Sequence, residues 1–190
     1  MKKYALVVLT ALLFTPQVFA NWSLQSEQSD IKFISVKNNA IAEISEFKTL
    51  QGSIDKKGTV NIAINLSSVD TNIAVRDQRL QKELFEVSRY PQAMLTGSVD
   101  VTKLKALKVG ERYTDTVSLS LSLHGVEKNV TAKVAVIKMA SGMWGVSSAE
   151  PVILNAADYQ LTAGVEKLMA LAGLSAINVA VPVSFNFIFK

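Results

Sequence analysis

VNIAINLSSVDTNIAVRDQRLQKELFEVSRYP, residues Val60 to Pro91, changes character halfway along. Val60, Ile62, Ile64 and Leu66 alternate with Asn61, Ala63 and Asn65, the period-two pattern of a strand with one buried face. After Asp70 the alternation stops. The charged run that follows predicts a short helix over residues 73–87, with Leu80 and Leu84 one turn apart and Arg79/Glu83 and Lys82/Glu86 at i,i+4 spacing. Asp70, Thr71 or Asn72 can offer a capping oxygen, and Pro91 stops any continuation. An amphipathic segment set between strands would roof one end of a sheet structure, with Leu84 and Phe85 facing in.

The same alternation extends to both sides of this stretch. Val117, Leu119, Leu121 and Leu123 alternate with serines; Val130, Ala132, Val134 and Val136 repeat the pattern. Ile177, Val179, Val181, Val183, Phe185, Phe187 and Phe189 continue it to the end of the chain. Fainter strands fall at residues 22–25, 31–37, 41–54, 93–101 and 144–154. A second break spans residues 156–174, where Val165, Leu168, Met169 and Ala172 lie at helical spacing and Gly173 closes the run. The expectation is an all-β fold, an antiparallel barrel or sandwich of about eight strands in meander order with one or two short helices capping the ends; a closed barrel has the advantage of leaving no exposed edge.

Residues 1–20 carry a basic start, an apolar run and Val18-Phe19-Ala20, the three-part pattern of a secretory signal peptide cleaved before Asn21. Residues 21–190 then suit a single domain. Without Lys2 and Lys3 the formal charge falls from +4 to +2, because the leader holds no acid. No basic stripe suggests a nucleic-acid partner. The chain has no cysteine, so its stability rests on packing.

Ser68-Val69-Asp70-Thr71, Arg76-Asp77, Leu84-Phe85, Tyr90-Pro91-Gln92-Ala93 and the later run Leu121 to Lys128 resemble the YceI-like family in order and spacing. The series Phe47, Leu50, Gly52, Ile54 also resembles that family's turn into its third strand. The resemblance implies a lipocalin-like, extended antiparallel β-barrel in the periplasm, with an apolar tunnel for a polyisoprenoid chain such as an isoprenoid quinone or a polyprenyl phosphate. It implies binding, transport or storage, and no catalytic activity. Two departures bear on the head group. Asn38 stands where members often have histidine, and Ala156-Ala157-Asp158-Tyr159-Gln160 replaces an Arg-x-Asp-Phe-Gly stretch, which makes a phosphorylated ligand less secure than the apolar tunnel.

On that reading the strand positions expected to line the tunnel are Phe33, Phe47, Ile64, Leu95, Leu119, Leu121 and Phe185. From the two inserted segments come Leu84, Phe85, Tyr159 and Met169. Alternating apolar residues are equally compatible with a core filled by its own side chains. Arg76 is the candidate for the head group, or else it pairs with Asp70 or Asp77 to fix the loop. His124, the single histidine, reads as a turn residue before Gly125; it lacks the partners of a catalytic triad or a metal site. Lys103, Lys105 and Lys108 would offer a transient contact with a membrane surface. A monomer and a homodimer both remain open. The rival readings are a small outer-membrane β-barrel, whose apolar face would turn outward, and a binder of another apolar molecule such as a fatty acid.

Overall fold

The computed structural model describes residues 20–190, so the expected leader lies outside the described residues, except for Ala20. The described chain forms twelve strand segments: β1 (Ala20–Ser23), β2 (Asp30–Lys37), β3 (Ile41–Phe47), β4 (Leu50–Asp55), β5 (Thr59–Asn65), β6 (Val69–Asp70), β7 (Gln92–Ser98), β8 (Arg112–Leu123), β9 (Val126–Lys138), β10 (Trp144–Ser148), β11 (Val152–Asn155) and β12 (Ala180–Phe189). All pair antiparallel in one curled sheet.

The segments outnumber the eight or so strands expected because four long strands each bend at a corner. β1 runs into β2, β3 into β4, β5 into β6 and β10 into β11. With these joined, the ladders make a ring: β1/β2 pairs with both β3/β4 and β12, and β5/β6 lies on the other side of β3/β4. The seam at β1 is closed by Ser23 and Lys190, which exchange backbone hydrogen bonds of 2.7 and 2.9 Å, and by Gln25 donating to the Ile188 carbonyl. Serines satisfy the corners. The amides of Thr49 and Leu50 donate to the Ser68 and Ser26 hydroxyls at 3.0 and 3.2 Å.

One end of the ring is solid. Leu50, Ile54, Val60, Ile62, Val134, Val136 and Phe189 are all buried there, and Trp22 meets Trp144 edge-on with centroids 5.9 Å apart. Each such side chain contributes about 1.5–3 kcal/mol through burial. A helix that the sequence reading missed, α2 (Val101–Ala106), sits at this floor end, capped by Asp100 accepting from the Thr102 and Lys103 amides and anchored by buried Leu104. Lys103 is held by Asp115 at 2.7 Å and lies over the Tyr113 ring. The lysines expected to meet a membrane therefore occupy the end away from the roof.

The roof is made by the two predicted breaks. α1 (Ala74–Arg79) follows β6, and residues Leu80–Leu84 widen into a π-turn. That extra residue per turn undoes the i,i+4 register. Lys82 lies beside Glu83 instead of Glu86, and Arg79 donates to the Leu171 carbonyl across the roof. The N-cap is Ile73, with no side-chain bond. Capping runs the other way: Asp77 accepts from the Thr71 amide and hydroxyl at 2.8 and 2.6 Å. α3 (Thr162–Ala172) forms the second half and ends at Gly173 with φ +63°.

Candidate functional site

Between roof and floor lies a cavity of about 490 Å³, within the ~300–1,000 Å³ common for small-molecule sites. Its wall is built by the inward positions of the bent strands. Phe33 (β2), Phe47 (β3), Ile64 (β5) and Leu95 (β7) border it, as do Leu119 and Leu121 of β8 and Phe185 of β12. Leu84, Phe85 and Tyr159 close it from the roof. Phe33, Phe47 and Phe85 make a chain of rings 5.5 and 5.7 Å apart that ties β2 and β3 to the roof. Burial pushes the Tyr159 phenol up from its ordinary value, so it stays neutral.

Met169 is not on this wall. α3 turns Val165, Leu168 and Ala172 to the cavity, and a residue one position past Leu168 is rotated about 100° off that face. The sequence spacing named the helix but chose the wrong neighbour. Val183, Phe187, Leu161 and Ala132 also border the cavity; Val183 and Phe187 share the parity of Phe185 on β12, and Ala132 belongs to the alternating series Val130, Ala132, Val134 and Val136 of β9.

The polar part of the wall is the mouth. The β2–β3 hairpin reverses its pattern halfway: lower positions Ile31, Phe33 and Phe47 face in, whereas higher up Ser35, Lys37, Glu43 and Ser45 do. Outside, Ile44 is left exposed. Arg76, reaching from α1, pairs through Nη1 with Glu43, and its Nη2 donates to the Thr71 carbonyl at 2.6 Å. Its partner is thus Glu43, and neither Asp70 nor Asp77, which accept from the Asn72 amide and from Thr71. Lys37 also pairs with Glu43. The hydrogen bond from Lys37, reinforced by the Arg76 charge, holds the Glu43 carboxyl below its ordinary 4.5 against the opposing effect of burial. One guanidinium atom, Arg76 Nε, is buried without a protein partner.

His124 lies in the β8–β9 turn at φ +52°. Its ring packs on Tyr90 with centroids 4.5 Å apart, and Nε2 is 3.4 Å from Glu86. It belongs to a structural clamp on the segment after the π-turn. Among the described residues, no three His, Cys, Asp or Glu side chains gather as a metal site.

The family model of the YceI-like domain matches residues 22–189. A polyisoprenoid-binding domain from Saccharophagus degradans, implicated in plant cell wall breakdown, superposes with a TM-score of 0.89 at 35% identity, covering 90% of this chain and 99% of that one. Burkholderia cenocepacia BcnA shares the fold, with a TM-score of 0.66 at 19% identity over 87% of this chain and 98% of its own. A protein of Yersinia enterocolitica is 41% identical over 87 residues, which is 45% of this chain and 41% of the relative. The chain thus matches about half the length, or less, of the curated relatives.

Proposed function

The chain belongs to the YceI-like domain family, and on that premise we propose that it is a binding protein that carries or stores an isoprenoid lipid in the periplasm. The observation that carries this reading is the cavity of about 490 Å³ with its predominantly apolar wall. Each methylene removed from water contributes about 0.8 kcal/mol, so such a wall holds a prenyl tail with no motif of its own. The related domain from Saccharophagus degradans, which is named for polyisoprenoid binding, supports the same class of cargo. The inward apolar face speaks against the membrane-barrel alternative, which would place its apolar side chains toward lipid.

The tail fills the cavity and the head group rests at Arg76. Two of its nitrogens are committed to Glu43 and Thr71, and the Glu43 carboxylate would repel a dianion. A quinone oxygen therefore suits the mouth better than a phosphate.

Two measurements test the proposal. Protein purified gently from its native envelope and extracted with organic solvent should release an isoprenoid quinone, identified by mass spectrometry; a fatty acid, or a blank extract from folded protein, would overturn the assignment. N-terminal sequencing of the protein in osmotic-shock fluid should begin at Asn21. An intact leader, or retention in the membrane pellet, would refute the periplasmic placement.

A further inference from the structure

The cavity stops partway down each of three strands. On β8 the wall descends from Leu123 through Leu121 to Leu119 and ends before Val117; on β9 it ends at Ala132, before Val134; on β12 it ends at Phe187, before Phe189. Below these points Val134, Phe189 and Ile62 are buried in solid core. The last layer is formed by Leu119, Ala132 and Phe187, and two of its three members are bulky. Ala132 is 3% exposed and pairs across the ladder with Val117. Among these three it alone leaves the floor lower than a branched or aromatic side chain would.

We propose that this layer is a length gauge: the depth left by Ala132, against the stop made by Leu119 and Phe187, sets the longest prenyl tail that can be fully sheathed. The inference rests on the lipid-binding reading and narrows its substrate class to chains of bounded length. Up to that bound each further buried methylene tightens binding by about fourfold. Beyond it an added isoprene unit stays at the mouth and adds nothing. A phenyl group at position 132 would project into the cavity, where it takes volume from the ligand without crowding the core below.

The experiment titrates a ladder of linear prenols, from geranylgeraniol to solanesol, against the wild-type chain, Ala132→Phe and Leu119→Ala, with affinities read by native mass spectrometry. Wild type should show affinity rising with length and then levelling. Ala132→Phe should level at a shorter prenol, with the affinity ratio of the longest prenol to geranylgeraniol falling more than about tenfold; Leu119→Ala should level at a longer one. Should Ala132→Phe fail to fold, Ala132→Val reads the same shift at smaller size. An unchanged profile, or equal weakening at every length, would overturn the gauge while leaving lipid binding intact. No binding of any prenol by the wild type would overturn both.

Discussion

Glu43 governs the mouth because two cations, Lys37 and Arg76, converge on its carboxylate. Glu43→Gln would leave them facing each other, at an expected cost of about 1–2 kcal/mol in denaturant unfolding. Since folding lowers this carboxyl from its ordinary 4.5, its contribution is fully present above about pH 4.5 and is lost as pH falls through the folded value. The gap between wild type and Glu43→Gln should accordingly close in acid; a constant gap would show that the ion pairs do not produce it. Arg76→Lys should also fail to replace arginine. One ammonium cannot reproduce the fork that spans Glu43 and the Thr71 carbonyl, and a loss of about 1–2 kcal/mol is expected. The sequence announced Arg76 but could not announce Glu43, which lies on β3, far along the chain from α1. Its only local trace is the reversal of the β2–β3 pattern, where polar residues take the inward positions.

The two halves of the roof meet at Gly164. A methyl group there would lie 2.7 Å from the Glu83 carbonyl oxygen and 2.9 Å from the Leu84 Cα, so α3 rests directly on the backbone of the π-turn. Gly164→Ala must lift one half from the other, which should cost about 1–3 kcal/mol and speed the release of bound prenol in a stopped-flow chase. Unaltered release with a lowered melting temperature would show that the roof does not control exchange. Ile73 and Val75 border the cavity and are also exposed. Replacing both with serine should weaken cosedimentation with anionic vesicles, whereas charge reversal of Lys103 and Lys105 at the floor should not. Both roof elements were legible from their breaks in alternation. Their phases were not: the π-turn shifted the side-chain pairs of the first, and a single-residue rotation separated Leu168 from Met169 in the second.

For the molecule as a whole, period-two patterning sufficed to read about eight antiparallel strands in a barrel or a sandwich, because burying one face leaves each strand little choice of side; the family resemblance chose the barrel. The patterning could not reveal that the barrel is hollow above and solid below. Leu119 at the cavity and Val117 beneath it obey the same alternation. The difference lies in what faces them across the barrel, and that is fixed only on closure. Closure depends on β12, which pairs with β2, β10 and β11 and, through its end, with residues 23–25. The last of the described strands, β12 touches four others, some of them at the start of the fold, and contacts so distant in sequence slow folding. As a nascent chain leaves the ribosome, the ring has no keystone until β12 has emerged. The polypeptide stays loose enough in the meantime to be threaded through a translocation pore, as the proposed export requires.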